Sequence, residues 1–286
     1  MTPAPRNQTV RAAPTQPVDE MPQSLAGIRI AAAEDLQHPG DADIVLLPGR
    51  AALLPASQTL VCADVHLGKA ATFRRAGLPV PEGSAQRDLT RLAELVTRHE
   101  ARRLVINGDL FHARAGCTPR VLGEFTDFRE QIRQRNNTEV VLVLGNHERS
   151  LGRQFSPRDL GIDQCVDELI EPPFRFVHEP ATTFGSRDLG RSLSVKSHQL
   201  PPTAATDSFA AAATFTIAGH LHPTISLRSP SGDRLSGRCF VATPGLLVLP
   251  AFGSFTGGHR VTPEHDMQIW LAQDDGAWQA TELLQS

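Results

Sequence analysis

Five short apolar segments of the chain are each followed, directly or after one glycine, by aspartate, histidine or asparagine. The residues that follow them are Asp64-Val65-His66, Asn107-Gly108-Asp109, Gly145-Asn146-His147, His178 and Gly219-His220-Leu221-His222. Carboxylate, amide and imidazole groups without thiolate suit borderline divalent ions such as Mn²⁺, Fe²⁺ or Zn²⁺ rather than a structural zinc. These side chains exceed the needs of one ion, so the pattern predicts a two-metal centre, a device for displacement at phosphorus.

The spacing within these groups suggests how their side chains converge. In Asp64-Val65-His66 and His220-Leu221-His222 the two polar residues are separated by one. An extended backbone points alternate side chains the same way, so each pair is expected to bind together. Glycine precedes Asp109, Asn146 and His220, where it allows tight turns and close approach of the backbone. Each dipeptide alone is a weak signal, and the prediction depends on their shared context at the ends of strands.

The elements that would position these residues begin with short, nearly continuous apolar runs, which are typical of strands covered on both faces. The predicted strands are residues 44–47, 59–63, 103–106 and 139–144. Between them, Ser84–His99 and Pro119–Arg133 carry apolar residues at helical spacing, the second with Thr118 as N-cap. Alternating strands and helices predict an α/β architecture with a parallel sheet, whose carboxyl edge carries the site.

The second half of the chain has strand patterns separated by turns and little helix. The predicted strands are 174–177, 192–196, 214–218, 223–228, 238–242 and 268–272. They predict a second, more antiparallel sheet packed on the first. Residues 180–212 are interpreted as an insertion or flexible loop, and residues 1–25 as a disordered tail. Residues 26–286 would then form the folded domain.

Composition excludes several classes of protein. The 286 residues include 28 Lys and Arg against 31 Asp and Glu, a net charge of −3, which excludes binding of nucleic acid by bulk positive charge. No run approaches the roughly 18 apolar residues of a membrane span. The four cysteines are far apart without CxxC spacing, and the N-terminus lacks the pattern of a secretory signal. A reduced, cytoplasmic protein is therefore expected.

The ordered motifs D-x-H, G-D, G-N-H-[DE], H and G-H-x-H, over residues 40–260, resemble those of the calcineurin-like metallophosphoesterase superfamily. A narrower resemblance is to the ligase-associated DNA damage response endonucleases of the PdeM type. Its segments are HLGKAATFRRAGLPVPEGS (66–84), GDLFHARAG (108–116), PPFRFVHEP (172–180), AGHLHP (218–223) and LPAFGSFTGG (249–258). The resemblance implies an α/β/β/α sandwich of two mixed sheets and a DNA endonuclease that acts in the DNA damage response. It also implies functional association with an ATP-dependent DNA ligase and a helicase.

The resemblance implies a role for each matching residue. Asp64, His66 and His222 would hold one metal, Asn146, His178 and His220 the second, and Asp109 would bridge the two. The implied cofactors are two divalent ions, Mn²⁺ ahead of Fe²⁺ or Zn²⁺. The implied mechanism is in-line attack by a metal-activated hydroxide, with His147 stabilising or protonating the leaving group.

Two positions near these residues depart from the family pattern. Glu148 stands where many relatives carry Asp, and it is expected to orient His147. His198, in Lys196-Ser197-His198, is an alternative to His178 as a metal ligand. His178 is preferred because it closes a predicted strand and its HEP context matches the family.

Further residues are candidates for the substrate side of the site. His112 would contact the substrate phosphate or support the metal ligands, and Arg114 is either a phosphate clamp or a solvated loop residue. Lys69 would line the mouth of the site. Of its neighbours, Phe73 is expected to be a core residue. Arg74 and Arg75 are expected to be solvated, with contact to a nucleic-acid backbone as the alternative.

The nucleic-acid substrate rests on the resemblance, because the sequence shows no zinc finger, helix-turn-helix pattern or strongly basic tract. A small nucleotide or nucleotide-sugar pyrophosphate is the alternative substrate for the same chemistry. A scaffold of the same fold without catalysis is the second alternative.

Overall fold

The computed structural model describes residues 28–31, 43–152, 156–181, 215–228, 234–272 and 277–279, with the backbone path alone at 28–31 and 277–279. The expected tail at 1–25, the predicted strand at 192–196 and His198 lie outside these residues. So does the interpreted insertion at 180–212, except for its first two residues.

The described residues contain strands throughout and α-helices up to residue 151. The strands are β1 (Ile28–Ala31), β2 (Asp43–Leu47), β3 (Ala51–Leu54), β4 (Thr59–Cys62), β5 (Arg103–Asn107), β6 (Glu139–Val143), β7 (Gln164–Val166), β8 (Leu169–Glu171), β9 (Phe174–Val177), β10 (Phe215–Ala218), β11 (Pro223–Arg228), β12 (Arg234–Thr243), β13 (Leu246–Val248), β14 (His259–Arg260), β15 (Gln268–Ala272) and β16 (Ala277–Gln279). The helices are α1 (Lys69–Arg75), α2 (Ser84–Arg98), α3 (Pro119–Asn136) and α4 (Asn146–Leu151). None of these helices combines the length and the apolar character that a membrane span requires.

The first sheet has the strand order β1-β2-β3-β4-β5-β6-β7. Strands β4 to β7 are parallel, as predicted for β4, β5 and β6, and α2 and α3 connect those three strands. Strands β1 to β4 are antiparallel, so the sheet is mixed rather than purely parallel. The reason is the tight turn between β2 and β3, where Gly49 and Arg50 have φ of 82° and 73° and reverse the chain.

Both faces of the first sheet are buried, which explains its continuous apolar runs. In β4, Leu60 and Cys62 belong to the core that includes the apolar faces of α2 and α3. Val61 of the same strand belongs to a second core, formed with side chains of the second sheet such as Phe176 and Phe240. In the central strands β4, β5 and β6 no face is left for polar residues, so the alternation typical of half-exposed strands is missing there.

The second sheet has the order β14-β11-β12-β13-β10-β9-β8, with β15 and β16 added beside β12. Most of its pairs are antiparallel, while β9, β10 and β13 run parallel to one another and β14 runs parallel to β11. The prediction of an α/β fold with two mixed sheets packed face to face is therefore confirmed. From residue 161 to 272 the described segments contain strands and turns, so the predicted helical layer over this second sheet stays a prediction.

The register of the parallel strands brings the polar segments to one edge. Cys62 of β4 pairs with Ile106 of β5, which in turn pairs with Leu142 of β6. In the second sheet, Val177 of β9 pairs with Ala218 of β10. The carboxyl ends within each sheet are therefore level, which is where α/β folds place their sites.

Candidate metal centre

The backbone turns sharply where these strands end. Left-handed φ angles occur at Asp64 (57°), His66 (50°), Asp109 (52°), His220 (67°) and His222 (44°). The expectation of extended backbone through the D-x-H and H-x-H pairs is therefore wrong. Hydrogen bonds between loops impose the turns: the Asp64 N–H donates to the Gly108 carbonyl (3.0 Å) and the His66 N–H to the Asp109 carbonyl (2.9 Å). Such conformations are costly for residues other than glycine, and they concentrate at functional sites.

Two glycines allow the close approach that the sequence predicted. Gly108 has φ of 85°, and a Cβ there would overlap the His178 ring. A Cβ at Gly145 would overlap the carboxylate of Asp109. Any side chain at either position would therefore push apart residues from different strands.

Asp64, His66 and His222 form a first cluster. Oδ1 of Asp64 lies 3.0 Å from Nε2 of His222, and the Nε2 atoms of His66 and His222 are 3.2 Å apart. Asp64 and His66 are buried, and Oδ1 of Asp64 accepts no hydrogen bond from any described residue. A buried carboxylate oxygen without a donor, facing two ring nitrogens, fits a divalent cation with mixed N/O ligands.

A second cluster is formed by Asp109, His178 and His220, with the amide of Asn146 beside it. Nε2 of His178 lies 3.3 Å from Oδ2 of Asp109, 3.2 Å from Oδ1 of Asn146 and 3.3 Å from Nδ1 of His220. Oδ2 of Asp109 is also 3.7 Å from Nε2 of His66. The carboxylate of Asp109 therefore lies between the two clusters.

Asn107 sets the orientation of His178, a role that the sequence did not reveal. Nδ1 of His178 lies 3.0 Å from the Asn107 carbonyl, which only accepts, so Nδ1 carries a proton and Nε2 faces the cluster. The Asn107 amide donates to the carbonyls of Val177 (2.9 Å) and Ile217 (3.0 Å), which ties β5 to the second sheet. The sequence feature that could have indicated this role is that Asn107 is a polar residue at the end of a buried strand.

Glu148 has a different role from the expected orientation of His147. Its buried carboxylate accepts backbone N–H bonds from Asp109 (2.8 Å), Phe111 (3.0 Å) and Gly145 (3.1 Å). Burial raises the pKa of Glu148, an effect that these bonds oppose. The Glu148 side chain therefore connects the loop that follows β5 with the loop that follows β6. Its sequence signal is the acidic third position of α4, which is typical of helix capping.

Charge is distributed differently in the two clusters. Burial lowers the pKa of His66 to about 2, so this ring is neutral. Burial opposes the ionisation of both Asp109 and His178, yet their mutual hydrogen bond and charge attraction prevail. They lower the pKa of Asp109 to about 2 and raise the pKa of His178 to about 9. Burial and the nearby charge of His178 lower the pKa of His220.

His112 and His147 extend the first cluster toward solvent. Nδ1 of His112 is 3.3 Å from Nδ1 of His66, and Nδ1 of His147 contacts the carbonyl of His112. Nε2 of His147 lies 3.7 Å from Oδ2 of Asp109, with the side chain 27% exposed. Burial, together with the charge of nearby Lys69, lowers the pKa of His112 to about 4. Lys69 therefore lies near His112, and its position at the mouth of the site stays a prediction.

The remaining candidates lie farther out. Arg114 is exposed and lines a surface pocket together with Cys117 and Leu151. The core prediction for Phe73 is wrong. Its ring is half-buried beside the site, with a centroid 6.4 Å from that of His112.

Comparisons with known proteins agree with this geometry. The family model of calcineurin-like phosphoesterases matches residues 57–224. The nuclease MPE of Pseudomonas putida is 33% identical, with a TM-score of 0.60 over 85% of this chain and 98% of that chain. A protein of unknown function from Aquifex aeolicus is 15% identical, with a TM-score of 0.35 over 57% of this chain and 78% of that one. A comparison with curated proteins gives no match.

Proposed function

Because the chain belongs to the calcineurin-like phosphoesterase family, and is thus a metal-dependent phosphoesterase, we propose that it is a two-metal phosphodiesterase that cleaves DNA. The observation that carries the two-metal proposal is the position of Asp109. Its Oδ2 lies 3.3 Å from Nε2 of His178 and 3.7 Å from Nε2 of His66, within reach of both clusters. One carboxylate shared between two groups of N/O ligands is the arrangement that a binuclear site requires.

The proposed ligands follow the clusters. Asp64, His66 and His222 hold one ion, Asn146, His178 and His220 hold the other, and Asp109 bridges them. We propose Mn²⁺ for both positions, with Fe²⁺ and Zn²⁺ as alternatives, because carboxylate, amide and imidazole ligands suit these ions. His178, oriented by Asn107, is proposed in preference to His198.

Bound there, the ions supply Lewis acidity toward the phosphate and lower the pKa of water. The protein's own residues orient the phosphodiester and move protons. The proton on Nδ1 of His147 is directed at the His112 carbonyl, which leaves Nε2 as the ring atom that faces the substrate. From there an imidazolium donates a proton to the leaving oxygen.

His112 is proposed to bind the phosphate. If Nε2 of His66 is a metal ligand, then Nδ1 of His66 carries the proton and donates to Nδ1 of His112, 3.3 Å away. Nε2 of His112 then carries a proton and acts as a donor toward the substrate. The ammonium of Lys69 adds positive charge on the same side, and Arg114 is retained as a phosphate clamp from farther out.

DNA is proposed as the substrate because the 33% identical protein of Pseudomonas putida is a nuclease. On the sequence resemblance alone we also propose a cytoplasmic role in the DNA damage response, beside an ATP-dependent DNA ligase and a helicase. A small nucleotide or nucleotide-sugar pyrophosphate remains the second candidate. The observation that favours it is the net charge of −3, which gives no bulk attraction to nucleic acid.

The test is a cleavage assay with Mn²⁺ titrated into metal-free protein. The substrates are circular single-stranded DNA, linear duplex DNA and a chromogenic phosphodiester. We expect Mn²⁺-dependent cutting of the circle and of the chromogenic substrate, with both activities lost in His147→Ala. His265→Ala is the matched control, because His265 is exposed in the turn before β15. Cleavage of the small substrate alone would refute the DNA proposal, and full activity without metal would refute the metal proposal.

A further inference from the structure

Phe255 is an exposed aromatic side chain on the loop between β13 and β14. Its exposed fraction is 38%, high for a residue of this size and type. The loop runs beside the first cluster, because the Gly253 N–H donates to the carbonyl of Asp64 at 3.1 Å. A single exposed apolar residue is ordinary on a protein surface. Phe255 differs from such a residue because hydrogen bonds fix both of its sequence neighbours and because its ring contacts Phe73.

The residues on either side of Phe255 are anchored by charged side chains. Asp88, buried on α2, accepts the N–H of Ser254 at 2.9 Å and its hydroxyl at 3.0 Å. Arg238 of β12 donates to the carbonyl of Thr256 at 2.9 Å and to its hydroxyl oxygen at 2.8 Å. Both flanking residues are therefore fixed, so the backbone that carries the Phe255 ring is ordered before a ligand binds, which lowers the entropic cost of binding.

A line of rings leads from Phe255 into the metal centre. The Phe255 and Phe73 centroids are 5.6 Å apart with the planes at 75°, an edge-to-face contact. Phe73 lies 6.4 Å from His112, whose ring lies 5.3 Å from that of His66. Because an edge-to-face pair uses the edge of one ring, each ring keeps at least one face outside that contact.

The charge beside these rings suits a phosphodiester backbone. Phe73 lies on α1, four residues after Lys69, and the helix sequence KAATFRR contains no acidic residue. Arg74 and Arg75 of the same helix have protein partners, Glu82 at 3.9 Å and the carbonyl of Ala115 at 3.4 Å, so Lys69 is the basic group on which the proposal depends. Sites for single-stranded nucleic acid combine basic groups along the backbone with aromatic rings on which bases stack.

We propose that Phe255 and Phe73 form a stacking platform for an unpaired nucleobase of the nucleotide adjoining the cleaved phosphodiester. The proposal rests on the proposed function and deepens it, because it specifies the form of nucleic acid that the site accepts. In a duplex each base is covered by its neighbours, whereas in a single strand a base face is available to the rings. The platform therefore favours single-stranded substrates.

The test pairs protein variants with a modified substrate. Phe255→Ala and Phe73→Ala are compared with wild type on a single-stranded oligonucleotide and on the same strand with a central abasic stretch. We expect each variant to raise KM on the normal strand about tenfold, with a smaller change in kcat. On the abasic strand the wild type should already show the raised KM, and the variants should lose nothing further. Phe255→Trp should retain the wild-type KM, because tryptophan also stacks.

Leu78→Ala is the matched control, because Leu78 is 51% exposed in the segment after α1. Mn²⁺ binding and thermal unfolding of each variant show whether the site and the fold are intact. A wild-type KM for both alanine variants, or an equal loss on normal and abasic strands, would overturn the platform and leave the proposed nuclease function standing. A wild-type protein that cleaves a chromogenic phosphodiester but no DNA would overturn the proposed function and the platform with it.

Discussion

The two clusters of the metal centre differ in the protonation of their histidines. Burial lowers the pKa of His66 to about 2, so the ring of His66 in the first cluster is neutral. In the second cluster the hydrogen bond and charge of Asp109, acting against burial, raise the pKa of His178 to about 9. His66 can therefore coordinate a cation directly, whereas His178 must release a proton first. Cation binding at the second cluster therefore depends more strongly on pH.

Asp109→Asn should have the largest effect, because it removes the carboxylate between the clusters. Oδ2 of Asp109 lies 3.3 Å from His178 and 3.7 Å from both His66 and His147. A neutral amide stabilises two neighbouring cations and an imidazolium less than a carboxylate does, so we expect kcat on a chromogenic phosphodiester to fall roughly 1000-fold. Asp266→Asn, at an exposed position in the turn before β15, is the control. Normal activity in Asp109→Asn would show that the clusters do not share this carboxylate.

His112→Ala should act on the first cluster alone and produce the next largest effect. His112 contacts His66 through Nδ1 at 3.3 Å, while the second cluster is oriented by Asn107. Loss of such an outer partner typically weakens metal affinity about 10–100-fold. Calorimetric titration with Mn²⁺ should therefore show one weakened and one unchanged binding event, with His265→Ala as control. Equal weakening of both events would contradict the separation of the clusters.

Local patterns were sufficient to predict the frame of the site. Strands β4, β5 and β6 are buried on both faces, so each is visible as an apolar run, and the polar residues that follow mark the sheet edge. The short strand β7 was missed, because its three residues are partly or fully exposed and lack that pattern. The strand β3 was missed because its sequence, AALL, is a short apolar run that could belong either to a strand or to a buried helix.

The geometry at the strand ends was not predictable from local sequence. The left-handed φ of His66 depends on a hydrogen bond to Asp109, which is distant in the chain. Likewise, Asn107 is fixed by carbonyls of β9 and β10 in the other sheet. Residue types predict which groups converge at the site, but their orientation depends on contacts between sheets that no local pattern encodes.

Glu148→Gln should have a smaller effect, a loss of stability in the two loops that Glu148 connects. The Glu148 carboxylate accepts three backbone N–H bonds, from Asp109, Phe111 and Gly145. Glutamine has one acceptor oxygen and places an NH₂ against these donors, so at least one N–H loses its acceptor. We expect the free energy of unfolding to fall by about 1–3 kcal/mol in urea titrations. Glu264→Gln, at an exposed turn position, is the control. An unchanged free energy of unfolding in Glu148→Gln would show that Glu148 does not stabilise the two loops.

The smallest expected effects are those of pH on the metal-free protein, and they have opposite signs for the two clusters. The pKa of His178 is raised from 6.5 to about 9, so its stabilisation is complete below pH 6.5 and is lost as pH rises toward 9. The pKa of His66 is lowered from 6.5 to about 2, so its contribution is complete above pH 6.5 and is lost as pH falls. The Tm advantage of wild type over His178→Asn should therefore shrink by a few degrees on the alkaline side, and that over His66→Asn on the acid side. Thermal unfolding from pH 5 to 9 in chelator measures both, and parallel pH profiles for the two variants would show that the clusters are protonated alike.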